Sequence, residues 1–379
     1  MTIVFISKDA CWQKYRNDIL AKLSNRYQAD VQVLTTGQLQ DFVQPNGAVT
    51  YFLFKNLLPF FSRISFFPGA LWHIIRHRPH AVLALTNVTQ LTEYAACLLC
   101  KVLNIRFVWW THGYDHDPSK YVFLSRLKEK YVLLFLKVAD GIITFSQAGE
   151  KYLISRGIDG RRIRTAPNTL DTERLIALFQ HVRKTISPTN FRLKHGISPD
   201  TAVFIFTGRL KPEKKLSHAI EALSLLQNQV ENVRLIIIGD GENLETLRAA
   251  ARELEIENHV MFAGAIYDDE LLAEWLTLSD AMIVPAYAGL VIVHAFCFGL
   301  PVITTYDNTH GPEFEYIKSD FNSLVVEPND PVALAEAMIR IIKQKNLLAN
   351  LKSNALYTAS TNASISRMIT AMSHVLELN

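Results

Sequence analysis

One guanidinium and three ammonium groups stand at the end of an apolar run in Thr207-Gly208-Arg209-Leu210-Lys211-Pro212-Glu213-Lys214-Lys215. Val203 to Phe206 reads as a buried parallel strand, and Gly208 lets the chain turn, so Arg209 and Lys214 fall at the carboxyl end of a sheet, where α/β folds collect ligands. A guanidinium offers two phosphate oxygens a planar fork and an ammonium adds a mobile point charge, so the pair suits a diphosphate. A second stretch, Ala281 to Thr305, reads strand, loop, helix, strand: Pro285 ends the strand, Gly289 precedes an apolar helix, and Gly299 with Pro301 closes it. Amides at Gly289, Leu290 and Val291, backed by the positive end of the helix dipole, favour an anion. The plainer reading of the first stretch is a solvated basic turn ahead of a helix.

A third stretch, Val108-Trp109-Trp110-Thr111-His112-Gly113-Tyr114-Asp115-His116-Asp117, also leaves the end of a strand. His112 is its leading candidate for chemistry. The spacing also admits metal ligation by His112, Asp115, His116 and Asp117, and the plainer alternative is a histidine that only ends a strand.

These segments need sheets to position them, and the apolar pattern supplies two. Runs at Ile3 to Ile6, Val31 to Leu34, Ala81 to Leu85, Phe107 to Trp110 and Gly141 to Phe145 alternate with helical patterns such as Leu91 to Leu103 and Ser125 to Val138. Val203 to Thr207, Val233 to Gly239, Val260 to Ala263, Ala281 to Val284 and Val302 to Thr305 repeat the alternation, so the fold class is α/β with two Rossmann-like halves. A chain of 379 residues is long enough for both.

Charge divides unevenly. Lys plus Arg outnumber Asp plus Glu by 21 to 11 through Thr165 and are outnumbered 18 to 25 beyond it. The basic half carries aromatic patches, Tyr51 to Arg63 and Trp72 to Arg78, with Phe60, Phe61, Phe66 and Phe67 clustered near Arg63, and this pattern suits an anionic membrane surface. A hydrophobic core edged by solvated arginines is the alternative. Nucleic acid is a poorer partner, because no recognition motif accompanies the charge. Charges such as Lys101 and Lys137 interrupt every apolar run, so no segment is expected to span a bilayer. Met1 leads directly into a strand pattern, which predicts no signal peptide and a cytoplasmic protein, peripheral on the inner membrane face at most. Cys97 and Cys100 form a CxxC inside an apolar helix and are expected as core residues.

The carboxyl-terminal half, from about Pro167 to Lys343, resembles the retaining glycosyltransferases of family 4, whose GT-B architecture sets two Rossmann-like domains facing a central cleft. The carriers are Gly208, Arg209 and Lys214, which match a Gly-Arg-x4-Lys motif; Ile236 to Gly241; Val260 to Gly264; and Gly299 to Ile303. Ala166 to Arg174, Pro312 to Ile317 and Asn322 to Leu334 are flanking landmarks. The resemblance implies an amino-terminal domain over 1–166 on the acceptor side, a donor-binding domain over 167–355, and a final helix in 356–379 packing back on the first. It implies a nucleoside-diphosphate sugar, UDP- or GDP-linked, held by Gly208, Arg209, Lys214, Gly239, Gly264, Ala265, Gly289, Leu290, Val291 and His294. His112, Arg209 and Lys214 take the catalytic roles, with no metal and no further cofactor. Sugar would pass, with retained anomeric configuration, to a glycan or lipid-linked acceptor in surface polysaccharide or lipopolysaccharide synthesis.

The chain departs from the family at two positions. Where the family carries Glu, seven residues, then Glu, this sequence has Ala286 and His294. A neutral imidazole has one acceptor nitrogen and can take part of a carboxylate's task on ribose hydroxyls, whereas Ala286 has no polar atom. Glu313 and Glu315 are substitutes by sequence order only. The opening loop Ser7-Lys8-Asp9-Ala10-Cys11 also lacks the usual Gly pair. Two other readings follow: a degenerate nucleotide-sugar binding subunit, and a sugar-nucleotide epimerase. A dehydrogenase fits less well, since Gly239-Asp240-Gly241-Glu242-Asn243-Leu244 lacks a third Gly.

Overall fold

The computed structural model describes residues 1–8, 14–36, 48–58, 64–113, 122–227 and 229–378. They divide into two compact units: Met1–Asp171 with the segment from Ile365 onward, and Thr172–Ser364.

In the first unit the chain runs β1 (Thr2–Ile6), α1 (Lys14–Tyr27), β2 (Asp30–Thr35), β3 (Val49–Leu53), α2 (Pro68–His77), β4 (Ala81–Leu85), α3 (Leu91–Leu103), β5 (Arg106–Thr111), α4 (Val122–Val138), β6 (Gly141–Thr144), α5 (Gln147–Ser155) and β7 (Ile163–Thr165). The second unit holds α6 (Thr172–Thr185), α7 (Pro188–Lys194), β8 (Ala202–Thr207), α8 (Leu216–Gln227), β9 (Val233–Ile238), α9 (Leu244–Glu253), β10 (Val260–Gly264), α10 (Asp269–Thr277), β11 (Ala281–Val284), α11 (Val291–Cys297), β12 (Val302–Thr305), β13 (Ser323–Val326), α12 (Pro331–Lys343) and α13 (Lys345–Ser360). Helix α14 (Ile365–Leu376) belongs to the first unit again.

Both sheets are parallel, in the orders β3-β2-β1-β4-β5-β6-β7 and β10-β9-β8-β11-β12-β13. Each is covered by helices on both faces, which is why its strands read as unbroken apolar runs. Successive strand residues point to opposite faces, so the fully buried Trp109 and Trp110 anchor different layers. Trp110 packs with Phe5, Ile143 and residues of α1 and α14; Trp109 packs with Val82 and residues of α2, α3, α4 and α5. Cys97 and Cys100 sit in that second layer, where burial pushes both thiols up to about 12.

Three strands escaped the apolar pattern. β3 is an edge strand partly exposed along most of its length without alternation, β7 is three residues long, and β13 begins with a buried serine. The boundaries also move. The first unit ends at Asp171 and not at Ala166, and the return begins at Ile365 and not at 356, because α13 continues unbroken to Ser360 with Leu348, Leu351 and Ala355 buried. α14 then fills the first core through Met368, Ile369, Met372 and Leu376. Arg106 Nε donates to the Val375 carbonyl at 2.7 Å, and its guanidinium pairs with Glu377 at 2.7 Å.

The aromatic patch of the basic half is corrected in part. Tyr51 to Leu53 lie in β3, and Phe67 is fully buried with its amide donating to Thr92 Oγ1 at 2.8 Å. His73 and Ile74 are buried as well, while Phe60, Phe61 and Arg63 lie outside the described residues. Trp72, Ile75, Arg76, His77 and Arg78 are exposed. No helix among the described residues is long and apolar enough to cross a membrane.

Candidate active site

In the second sheet, chain order reverses between β8 and β11, so the connections leaving their carboxyl ends part and open a crevice. Gly208 to Lys215 leave β8 on one side of it, and Pro285 to Leu290 leave β11 on the other. Lys214 spans the gap: its ammonium donates to the Tyr287 carbonyl at 2.6 Å. Burial lowers the pKa of this lysine, so it is a partly desolvated cation that a bound anion would stabilise. Arg209 is exposed, and no hydrogen bond or ion pair to another described residue holds its guanidinium. The other two ammoniums of the stretch are committed elsewhere, since Lys211 pairs with Glu213 at 3.3 Å and Lys215 with Asp307 at 3.0 Å.

Glycines let the neighbouring turns close up. The Gly208 amide donates to the Ile238 carbonyl at 2.9 Å, and the Gly239 amide donates to the Gly264 carbonyl at 2.8 Å, so the ends of β8, β9 and β10 lie side by side. Ala265 follows, exposed, after β10.

The loop after β11 is pinned from several directions. Thr305 Oγ1 donates to the Pro285 carbonyl at 2.6 Å, and the Gly311 amide donates to the Ala288 carbonyl at 2.7 Å. The Ala288 amide donates to His310 Nδ1 at 2.9 Å, so the proton sits on Nε2, which donates to the Thr305 carbonyl at 2.9 Å. His310 is 5% exposed and stacks on Phe314 at 4.6 Å, and burial lowers its pKa. Sequence reasoning missed this histidine, because its partner lies 22 residues away and no periodicity marks the loop.

Gly289, Leu290 and Val291 lead into α11, a helix of only seven residues. Glu313 lies beside that start, 3% exposed, with Oε2 3.6 Å from where a Cβ on Gly289 would stand. A carboxylate there adds negative charge near the amides, so the cationic part of the crevice is Arg209 and Lys214.

At the two positions where the family resemblance leads one to look for glutamates, Ala286 is fully buried and His294 partly buried. The His294 ring meets Phe298 edge-on at 5.5 Å, and burial pushes its pKa down to about 4, opposed by Asp269 and assisted by Arg174. The ring is therefore neutral near pH 7 and keeps one acceptor nitrogen.

In the first unit, His112 is exposed at the end of β5, its ring 4.4 Å from that of Phe145. Gly113, with φ +88°, allows the turn, and Gly149 is needed where its α-carbon runs against the His112 carbonyl. Thr111 Oγ1 fixes the turn by accepting from Thr86 Oγ1 at 2.7 Å and from the Gly113 amide at 3.1 Å. Asp115, His116, Asp117 and residues 9–11 of the opening loop lie outside the described residues.

Comparison with known proteins fits this arrangement. The family model for glycosyl transferases group 1 matches residues 188–357, and the model for glycosyltransferase family 4 matches residues 18–174. The chain belongs to glycosyltransferase family 4. The exopolysaccharide phosphotransferase SCO2592 of Streptomyces coelicolor is 32% identical over 239 residues, 62% of this chain and 22% of that protein. The putative glycosyltransferase EpsD of Bacillus subtilis is 24% identical over 260 residues, 67% of this chain and 65% of that protein. The chain thus spans from 22% to 65% of the length of these two relatives. Anabaena HepE, solved in complex with UDP, superposes with a TM-score of 0.77 at 20% identity over 100% of both chains, and this likeness establishes the GT-B architecture.

Proposed function

We propose that this family 4 chain transfers a sugar, with retention of configuration, from a UDP- or GDP-linked donor to a glycan or lipid-linked acceptor in surface polysaccharide synthesis, working at an anionic membrane. The observation that carries the reading is Lys214, a desolvated ammonium bridging the two connections at the switch point, with Arg209 exposed in the same motif. HepE, of the same architecture, was solved with UDP, which supports a nucleotide donor here.

Catalysis in this reading is mainly stabilisation of the leaving group. The bond from the anomeric carbon to the diphosphate oxygen breaks, negative charge grows on the β-phosphate, and Arg209 and Lys214 oppose it in a partly dry crevice. The acceptor hydroxyl oxygen bonds to the anomeric carbon from the face the diphosphate leaves, and its proton departs with that diphosphate. Neutral His294 accepts from a ribose hydroxyl, and His112 takes a catalytic role in the transfer.

Calorimetry with UDP and GDP tests the donor site. One nucleotide should bind, and Arg209→Ala should weaken it by about 10- to 100-fold, the worth of a charge-assisted phosphate contact. Binding of neither nucleotide, or equal binding by the variant, refutes the assignment. His112→Ala should lower the transfer rate by about 100-fold or more while leaving nucleotide affinity within about twofold. A lost affinity would instead make His112 a binding residue.

Ala286 favours a second reading, a nucleotide-sugar binding subunit without transferase activity, since no polar side chain replaces the expected glutamate at that position. Nucleotide binding without turnover on any glycan or lipid-linked acceptor would select it.

A further inference from the structure

The outer surface of α2, α3 and α4 combines exposed apolar and basic groups in a way the core does not require. All three helices bury their inner sides in the layer around Trp109. They pack side by side: Arg78 Nη1 donates to the Leu103 carbonyl at 3.3 Å, joining α2 to α3, and the Tyr94 ring meets those of Tyr131 and Phe135 at 4.8 Å, joining α3 to α4. Their outer sides therefore form one surface pointing away from the sheet.

That surface is apolar at helical spacing. α2 exposes Trp72 at 59% and Ile75 at 46%; α3 exposes Leu98 at 51% and Val102 at 83%; α4 exposes Leu127 at 58% and Leu134 at 59%. Scattered exposed leucines are ordinary, but paired positions on three adjoining helices make a patch. Basic groups are threaded through it. The Arg76 guanidinium lies 5.1 Å from the centre of the Trp72 ring, and Lys128, Lys130 and Lys137 are exposed along α4. The described acidic residues of the three helices do not cancel them: Glu93 is fully buried, and Glu129 is engaged by Tyr152 and Arg156.

We infer that this three-helix surface is where the protein lies on an anionic bilayer, with Trp72, Val102 and Leu134 entering the headgroup boundary and the lysines reaching lipid phosphates. The inference rests on the membrane-bound acceptor proposed above. Dispersed cations among apolar side chains suit a lipid surface, where long basic side chains lie flat and keep their charge in water. A protein partner would favour an apolar centre depleted of charge. The surface keeps the Trp72 to Arg78 stretch that the sequence suggested and adds α3 and α4 to it, while Phe67 of the suggested cluster is interior.

Sedimentation with phosphatidylcholine vesicles, with and without phosphatidylglycerol, is the test, run on the full chain and on Val102→Glu/Leu134→Glu. Both positions are solvent-exposed, so the variant should fold, and nucleotide binding in the other unit serves as the check. The wild type should sediment only with phosphatidylglycerol present and be released by salt. The double variant should bind about 25-fold more weakly, from about fivefold per added negative charge. No sedimentation of the wild type, or equal sedimentation of the variant, overturns the inference. So does a wild-type dimer that the variant dissolves without any vesicle binding, which would make the surface a protein interface. Vesicle binding by a chain that binds no nucleotide would leave this surface standing and refute only the donor site.

Discussion

Gly239→Ala is expected to cost about 3 to 5 kcal/mol of stability and to abolish nucleotide binding. Gly239 sits at φ +152°, a region that side-chain-bearing residues avoid, and a Cβ there would fall well inside contact distance of the Gly208 carbonyl oxygen and 3.0 Å from its carbon. The obstacle is backbone, which cannot rotate aside as a side chain does. Relief has to come from parting the ends of β8 and β9, and the turn that would shift carries Arg209. Gly264→Ala is the matched control: it has φ +72° but meets nothing within 4 Å, so only the conformational penalty of about 1 to 2 kcal/mol applies. Urea denaturation of both variants, with calorimetry on the folded fraction, decides the matter. Equal losses of stability would show that packing against Gly208 is not what the glycine is for.

The second large effect is acid sensitivity. His294 has a pKa of about 4 in the fold, against 6.5 for an ordinary histidine. Above pH 6.5 neither folded nor unfolded chain holds that proton, and the stability associated with the neutral ring is present in full. As pH falls from 6.5 toward 4 the unfolded chain takes the proton and the folded one resists, so stability is lost across that window, by at most about 3 kcal/mol for a ring so placed. His310 acts in the same direction: burial lowers its pKa, the Thr305 carbonyl and Asp307 oppose the shift, and Lys214 and Lys215 add repulsion, while protonating Nδ1 would also break its bond from the Ala288 amide. Stability at pH 7 and at pH 4.5, compared between wild type and His294→Gln, isolates the first contribution. The variant should lose distinctly less than the wild type on acidification, and identical losses would mean that His294 takes up its proton as readily in the fold as out of it.

What could be read in advance follows from how local each signal is. The parallel sheets were legible because strands covered on both faces are apolar throughout, as in Ile236 to Ile238. The Gly208, Arg209 and Lys214 spacing was legible because all three lie in one turn. Val49 to Leu53 was not, since an edge strand with half-exposed aromatics carries no clean period and reads equally well as a surface patch. His310 was beyond reach for another reason, and Glu313 could be named by sequence order but not placed: their importance lies in lying against a loop more than 20 residues earlier, a relation made by the order of β11 and β12 in the sheet. The final helix needed both kinds of information. Its apolar face is plain in Met368, Ile369 and Met372, but which core it completes is not written in its own residues.

That helix has a consequence for how the protein is made. The first unit to leave the ribosome is missing a wall. Until residues 365–378 are synthesised, Trp110, Ile143 and the end of α1 lack Met368, Met372 and Leu376, and Gly141 lacks Val375, whose Cγ1 occupies the space a side chain would take. The second unit, one continuous segment from Thr172 to Ser364, has no such dependence and can close as soon as it emerges. Maturation should therefore run against the direction of translation, with the earlier-made half finishing last. A chain interrupted anywhere before Ile365 would leave that half with an open apolar wall, a mark by which proteases can tell an unfinished molecule from a complete one.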